Sequence, residues 1–249
     1  ETVRGTRKEA EQVLGERIAT AENGTYIPKA KDTVNSFLKK WIDTYVASNT
    51  TVRTLHGYRG YLDRYITPTI GSIPLQSLTA PQVQKVYADL QGRGLSANTI
   101  GQLHRILRQS LSHAVRWGLL SRNVAEVVTP PKAVRNQKNM WDVHTILRFL
   151  EATNAGRFGT LYRFAILTGM RRSEICGLKW DCVDLSKCSL SVVSTLQRIA
   201  GYGLVEGQPK TPKSRRLIAL SPDTVDLMHV IRGQQMEQRL SVGDAWRES

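Results

Sequence analysis

The chain has 249 residues, 41% of them hydrophobic, which is enough for one or two packed domains and argues against wholesale disorder. Its 35 lysines and arginines outnumber its 21 acidic residues, so the formal net charge is +14. Such an excess of positive charge favours a polyanionic partner, with nucleic acid as the first candidate and an acidic membrane surface as the second. No apolar run of the sequence approaches the roughly 20 residues that span a bilayer.

The first segment, residues 1–31, contains the stretch TRKEAEQVLGERIATAENG, which predicts one amphipathic helix ended by Gly24. The apolar residues on its inner side are Ala10, Val13, Leu14 and Ile18. A single helix cannot form a core alone. This segment therefore either packs on a neighbour or has lost partner strands.

Residues 32–126 read as four amphipathic helices joined by short loops, which predicts a compact helical domain. The first two are TVNSFLKKWIDTYVAS and TVRTLHGYRGYLDRYI, the second stopped by Pro68 and Gly71. The third, APQVQKVYADLQ, has Pro81 in its first turn and ends at Gly92. The fourth runs from Ser96, a typical helix cap, to the tryptophan–glycine pair at 117–118.

The fourth helix combines an apolar stripe with a polar face that suits nucleic acid. That polar face consists of Asn98, Gln102, Arg105 and Arg108. Arginine, asparagine and glutamine can read base edges in a major groove, so we expect these four residues to bind DNA. The alternative is an ordinary solvated helix face.

Residues 127–140 predict a basic interdomain linker, because Pro130 and Pro131 exclude helix. Lys132, Arg135 and Lys138 stand here without a neighbouring acid, and we expect Lys132 and Arg135 to contact DNA. An ordinary surface loop is the alternative.

Residues 141–249 predict a mixed domain with a small β-sheet. Helices are expected at about 142–153, 157–168 and 173–179 and over the stretch PDTVDLMHVIRGQQMEQRL, and strands in LSKCSLSVVSTLQ and RRLIALS. The whole chain is therefore expected to be mainly α with a small β-sheet.

The stretch LTGMRRSEICGLKW predicts a phosphate-binding turn. Thr168 and Gly169 end one helix and Ser173 begins the next, so Arg171 falls near a helix N-terminus, where an anion is favoured. Its guanidinium fork matches two phosphate oxygens, and Glu174 could hold that fork in place. A solvated arginine pair is the alternative.

A second basic stretch, QPKTPKSRRLIAL, follows the Gly-rich segment. Lys210 lies in a turn before a strand, from where its ammonium could reach the same phosphate. Lys213 in this stretch is a further candidate for DNA contact. Solvated lysines are the alternative.

The three cysteines, Cys176, Cys182 and Cys188, are six residues apart, a spacing that fits neither a zinc knuckle nor a disulfide framework. They are interpreted as free thiols in a reducing compartment, with a metal site as the alternative.

These motifs together resemble the tyrosine recombinases, the phage and transposon integrase family. LTGMRRSEICGLKWDCVDL is similar to the family's first catalytic box, in which the arginine two places after the glycine is catalytic, and KTPKSRRLIALSP resembles its lysine hairpin. The resemblance implies catalytic roles for Arg171 and Lys210 and a supporting role for Glu174. It also implies four regions: 1–31 as the remnant of an N-terminal arm-binding domain, 32–126 as a four-helix SAM-like core-binding domain, 127–140 as the linker, and 141–249 as the first part of an α+β catalytic domain.

The family's chemistry implies that a tyrosine attacks a DNA phosphodiester and forms a 3′-phosphotyrosine, so no cofactor, ATP or obligatory metal is expected. The implied partner is double-stranded DNA with inverted half-sites, bound by a tetramer of the full-length protein, with no membrane. The implied location is the bacterial cytoplasm, on the nucleoid.

Two features depart from the family pattern. The last tyrosine, Tyr202, precedes Lys210, and no second box with a later tyrosine appears before Ser249. His229 and Arg232 form a similar string too early, and we interpret them as structural. We therefore expect a truncated recombinase. The whole protein would integrate or excise mobile DNA, whereas this chain would bind DNA without cleaving it. A complete, catalytically inactive DNA-binding regulator and an RNA-binding or structural basic protein are the alternatives.

Overall fold

A computed structural model of the chain describes residues 31–134, 139–208 and 214–246, and near the N-terminus residues 6–9, 11–12, 14–15 and 27. Most of the predicted N-terminal helix lies outside the described residues; within it, positions 7–9, 11–12 and 14–15 are helical. The chain divides into two compact units, Glu1–Asn136 (unit 1) and Gln137–Ser249 (unit 2).

Unit 1 is helical. Its elements are α1 (Val34–Trp41), a π-helical turn (Ile42–Val46), α2 (Ala47–Asn49), α3 (Val52–Tyr61), a second π-helical turn (Leu62–Ile66), α4 (Thr67–Ile70), a 3₁₀ turn (Leu75–Ser77), α5 (Ala80–Gly92), α6 (Ala97–Arg116) and a 3₁₀ turn (Val124–Val127). The four predicted helical stretches are confirmed, since each of them is occupied by one or more of these elements.

Side-chain caps fix where the main helices of unit 1 begin. The Thr33 hydroxyl accepts the Ser36 N–H at 3.2 Å before α1, and the Ser96 hydroxyl accepts the Thr99 N–H at 3.2 Å before α6. Each cap satisfies a backbone donor that the first helical turn leaves unpaired. Pro81 lies in the first turn of α5, as predicted.

One predicted helix stop in unit 1 is wrong. Pro68 does not end the second helix, which continues through α4 to Ile70 and stops at Gly71. The π-helical turn over Leu62–Ile66 precedes the proline, and its wider backbone spacing accommodates a ring that would clash in a regular α-helix.

The core of unit 1 is formed by the apolar faces of α1, α5 and α6 together with the π-helical turns. Trp41 is fully buried and stacks with both Tyr45 and Tyr58, with ring centroids 6.2 and 6.0 Å away. Val128 also packs into this core, just after the last 3₁₀ turn. Apolar burial on this scale is the main source of stability for a helical domain.

Unit 2 is mixed. Its elements are α7 (Val143–Thr153), α8 (Gly159–Thr168), α9 (Arg172–Cys176), a 3₁₀ turn (Trp180–Cys182), β1 (Val183–Asp184), β2 (Ser189–Val192), β3 (Thr195–Ile199), β4 (Gly203–Gly207), β5 (Arg216–Ala219), α10 (Pro222–Val242) and a 3₁₀ turn (Gly243–Ala245). With unit 1, this composition confirms the predicted class, mainly α with a small β content. Among the described residues, no helix has the length and apolar character needed to cross a membrane.

The strands of unit 2 form two antiparallel sheets, one of order β1–β2–β5 and one of β3–β4. The single strand predicted over 185–197 is wrong, because β2 and β3 belong to different sheets. Between them the Ser194 hydroxyl donates to the Gly177 carbonyl, which turns the chain away from the first sheet. The predicted helix over 173–179 is also shorter, ending at Cys176.

The core of unit 2 lies between the first sheet, α8 and α10. It contains Phe164, Met170, Leu190, Val192, Leu220, Leu227 and Met228. Met170, in the turn after α8, thus belongs to this core, which holds the α8–α9 turn against the sheet.

Candidate phosphate-contacting site

Arg171 is placed by a sharp turn between α8 and α9. Gly169 ends α8 with φ at +62°, in the left-handed region that a side chain disfavours, and Met170 then enters the core. Arg171 is the cap residue of α9, with its side chain 69% exposed. The turn therefore buries one residue and presents the next to solvent.

Glu174 reaches back to Arg171, as predicted from their spacing. One oxygen, Oε1, accepts from Arg171 Nη1 at 2.7 Å, and the other, Oε2, accepts the Arg171 backbone N–H at 2.9 Å. The contact is an i,i+3 pair within one helical turn, so the guanidinium is held by its own helix. Within the described ranges, this guanidinium forms no further hydrogen bond, and no residue of those ranges occupies its other donors.

The helix N-terminus contributes less to anion binding than the sequence suggested. Helix α9 has only five residues, and the Glu174 carboxylate already occupies the Arg171 N–H. The positive charge available to an external anion is therefore that of the guanidinium rather than that of a helix dipole.

Arg216 completes the cluster and was missed by sequence analysis. It begins β5, and its Nη1 and Nη2 donate to Glu174 Oε1 at 3.2 Å and Oε2 at 2.9 Å. The only sequence signal was the arginine pair 215–216 before the strand, and no local spacing relates it to Glu174. The pairing depends on the tertiary approach of β5 to α9.

Glu174 is 2% exposed and is kept ionised by its neighbours. The hydrogen bonds from Arg216 and then from Arg171 lower the pKa of Glu174 to about 2, against the opposing effect of burial. The same contact raises the pKa of Arg216. Two guanidinium cations share one carboxylate here, which leaves one positive charge uncompensated and favours an anion.

The segment after α9 is anchored to the β3–β4 hairpin. A Cβ added at Gly177 would lie 2.8 Å from backbone atoms of Thr195 and Leu196, so only glycine permits this approach. On the surface, Lys179 Nζ contacts Glu206 Oε1 at 2.8 Å. The α8–α9 turn and helix α9 are therefore held by the unit 2 core at Met170 and by the β3–β4 hairpin at Gly177.

In unit 1, the predicted polar face of α6 is directed away from the core. Asn98, Arg105 and Arg108 are exposed and Gln102 is half-buried. The Gln102 amide oxygen accepts from Arg105 Nη2, and Arg108 Nη2 lies 4.0 Å from Glu126 Oε1. These side chains lie along one face, opposite the buried stripe that includes Leu103 and Leu107.

The remaining predicted DNA contacts are only partly described. Lys132 is exposed in a stretch without regular secondary structure. Arg135, Lys210 and Lys213 lie outside the described residues.

The residues that resemble a second catalytic box lie on α10. His229 and Arg232 are both exposed, and the Arg232 guanidinium lies 5.4 Å from the ring centroid of Trp180. This contact fits the structural interpretation of Arg232. Tyr202 lies, 45% exposed, in the turn between β3 and β4.

The three cysteines are free thiols. Over the part of the chain that the structure describes, no group of three or more histidine, cysteine or acidic residues is arranged to hold a metal ion.

Residues 33–91 match the family model of the phage integrase N-terminal SAM-like domain. The chain is 25% identical over 256 residues to the XerC-like tyrosine recombinase of Caldanaerobacter subterraneus subsp. tengcongensis, covering 97% of this chain and 66% of the relative. It is 26% identical over 249 residues to an integrase of Streptomyces ambofaciens, covering 98% of this chain and 63% of the relative. The chain thus spans about two thirds or less of the length of these relatives.

Two solved structures show the same fold. The Tn1549 transposon integrase in complex with a circular intermediate DNA matches with a TM-score of 0.71 and 20% identity, over 81% of this chain and 66% of that one. A lambda integrase dimer bound to a COC′ core site matches with a TM-score of 0.58 and 16% identity, over 71% and 62%. The chain is therefore similar to tyrosine recombinases over most of its length, and its residues 33–91 match the phage-integrase SAM-like domain.

Proposed function

We propose that this chain is a DNA-binding part of a site-specific tyrosine recombinase, an integrase that inserts or excises mobile DNA. The observation that carries the proposal is the Arg171–Glu174–Arg216 cluster, in which an exposed guanidinium is held by a buried carboxylate. The net charge of +14 and the polar face of α6 add a basic surface suited to a duplex.

In this proposal, Arg171 contacts a non-bridging oxygen of the scissile phosphate. A fixed guanidinium stabilises the negative charge that develops there when a nucleophile attacks, and it costs little reorganisation because Glu174 already orients it. Lys210 is proposed to donate a proton to the leaving oxygen. A tyrosine of the whole protein would supply the nucleophile and form a 3′-phosphotyrosine.

The proposed partner is double-stranded DNA. It would be read by Asn98, Gln102, Arg105 and Arg108 in unit 1, with phosphate contacts from Lys132, Arg135 and Lys213. Inverted half-sites, a tetramer of the full-length protein and action on the bacterial nucleoid belong to the same proposal. The division of the chain into residues 1–31, 32–126, 127–140 and 141–249 is likewise proposed for the whole protein.

The catalytic role of Arg171 is tested in a longer protein that contains this segment and cleaves DNA. Arg171→Ala should abolish strand cleavage, scored as loss of the covalent protein–DNA product, and lower DNA affinity by only about three- to tenfold, because one phosphate contact among several is lost. Normal cleavage by this variant, or loss of binding with unchanged cleavage chemistry, would contradict the proposed role.

A catalytically inactive DNA-binding regulator is the second candidate. Tyr202, the last tyrosine of the sequence, lies in the β3–β4 turn and precedes the lysine segment, so a recombinase would need a tyrosine beyond residue 249. The reading frame past codon 249 separates the two: a stop codon favours the regulator, and a later His-x-x-Arg with a following tyrosine favours the recombinase.

A further inference from the structure

The Glu174 carboxylate is shared by two arginines from different elements of unit 2. Arg171 precedes α9 and donates to the carboxylate from one side-chain nitrogen. Arg216 begins β5 and donates to it from both of its terminal nitrogens. Glu174 thus accepts three side-chain hydrogen bonds and one from the backbone, and both of its oxygens are saturated.

The two arginines differ in exposure. The side chain of Arg216 is 31% exposed and forms its hydrogen bonds to the Glu174 carboxylate. The side chain of Arg171 is 69% exposed, and some of its N–H donors have no partner among the described residues. Because Arg216 takes the bidentate position on Glu174, Arg171 is limited to one side-chain bond there. The fork of Arg171 therefore stays turned outward.

We propose that Arg216 is a positioning residue that, through Glu174, keeps the Arg171 guanidinium available to a DNA phosphate; this inference rests on the proposed function. Without Arg216, the buried carboxylate has a single guanidinium left to satisfy it. Arg171 then turns its fork inward to form a bidentate pair, which removes the donors that the phosphate needs.

The proposal also assigns a coupling between distant parts of the sequence. Arg216 lies six residues after Lys210 in the same basic stretch, and its contact with Glu174 ties strand β5 to helix α9. Arg215, its neighbour, has a different partner: its Nη2 donates to Gln208 Oε1 at 2.8 Å. Arg215 carries the same charge on the same segment without touching Glu174, so it serves as a matched control.

A double-mutant cycle on the 249-residue chain tests the inference. The affinity for a mixed-sequence DNA duplex is measured by fluorescence anisotropy at low salt for Arg171→Ala, Arg216→Met and the double variant. We expect Arg216→Met to weaken binding by about three- to tenfold when Arg171 is present, and by less than about twofold in the Arg171→Ala background. Arg215→Met should have the same effect in both backgrounds.

A second readout follows the carboxylate itself. By carbon-detected NMR, the pKa of Glu174 should rise in Arg216→Met from about 2 towards its ordinary value, and it should not move in Arg215→Met. If Arg216→Met does not fold, Arg216→Lys replaces it. One ammonium cannot hold both oxygens, so this variant should show a smaller loss of affinity that again depends on Arg171.

The outcomes separate this inference from the proposed function. Equal losses for Arg216→Met in both backgrounds, or no loss when Arg171 is present, would overturn the positioning role alone. If the unmodified chain does not bind the duplex, or Arg171→Ala leaves its affinity unchanged, the phosphate role of Arg171 fails and the inference fails with it.

Discussion

Glu174 is a nearly inaccessible carboxylate in a strongly basic chain, and its ionisation depends on the two arginines around it. Its pKa in the folded chain, about 2, lies below the ordinary value of 4.5. A carboxyl group whose pKa is lowered by folding stabilises the folded chain. This stabilisation is complete when the pH is above the ordinary pKa, and it is lost as the pH falls through the pKa of the folded chain.

Glu174→Gln should therefore remove a pH-dependent part of the stability of unit 2. At pH 7 we expect the free energy of unfolding to fall by about 3 kcal/mol, because a neutral amide cannot satisfy both guanidinium groups. Between pH 4.5 and pH 2 this difference should shrink, since the native carboxyl becomes protonated there. Urea titrations at each pH, followed by circular dichroism, measure both effects.

Glu206→Gln is the control for that prediction. Glu206 is 54% exposed and pairs with Lys179 on the surface, where an ion pair contributes little. This variant should keep the stability profile of the unmodified chain. The contradicting result is a free energy of unfolding of Glu174→Gln that runs parallel to that of the unmodified chain from about pH 5 to pH 2. That result would show that the arginines do not hold Glu174 ionised.

At the scale of the element, short helix α9 depends on two glycines for different reasons. Gly169 permits the left-handed turn before it, and Gly177 permits the close approach of the following chain to β3. The first requirement concerns backbone conformation alone, while the second concerns packing against a neighbouring strand.

Gly177→Ala should destabilise unit 2 more than Gly169→Ala does. The added methyl at 177 meets backbone atoms of β3 that cannot move independently, at a cost of about 2–3 kcal/mol. At 169 the surrounding space is open, and only the positive φ is penalised, by about 1 kcal/mol. Thermal unfolding followed by circular dichroism ranks the two variants.

Gly233→Ala provides the matched control within the same unit. Gly233 lies inside α10 with nothing near the position of an added Cβ, so alanine should stabilise the helix by up to about 1 kcal/mol. If Gly177→Ala proved as well tolerated as Gly233→Ala, the packing of α9 against β3 would be looser than the structure indicates.

The helices of unit 1 follow from the sequence because their signals are local. The apolar stripe of α6 and the cap at Ser96 identify one element without knowledge of its neighbours. Arg171 and Glu174 were found for the same reason, since they lie within one helical turn. Arg216 was not found because its contact joins residues 42 positions apart. The division of the predicted 185–197 strand escaped for a similar reason, since the bend depends on a contact with the distant Gly177.

At the scale of the whole molecule, the chain consists of two units, each with its own basic residues directed to solvent. Val128 packs in the core of unit 1, and the Thr129 carbonyl accepts from Gln84 Nε2 at 3.3 Å. A deletion that leaves unit 1 intact therefore has to begin after these residues.

Deleting residues 132–139 should weaken DNA binding by about tenfold or more without changing the stability of either unit. We propose that both units bind one duplex, and shortening their connection prevents simultaneous binding.

Replacement of the same positions by a Gly–Ser segment of equal length is the control. It keeps the reach and removes Lys132, Arg135 and Lys138, so it should lose less affinity and show a smaller dependence on salt. Equal affinity after the deletion would mean that the units do not bind one duplex together.

The central claim, that Arg171 is held outward for a DNA phosphate, is tested most directly by a structure of this chain bound to duplex DNA. We predict that a terminal nitrogen of Arg171 lies about 2.7–3.0 Å from a non-bridging phosphate oxygen, while Glu174 and Arg216 keep their bidentate pair. A complex in which Arg171 is remote from the duplex, or is folded onto Glu174 with no phosphate nearby, would contradict the account.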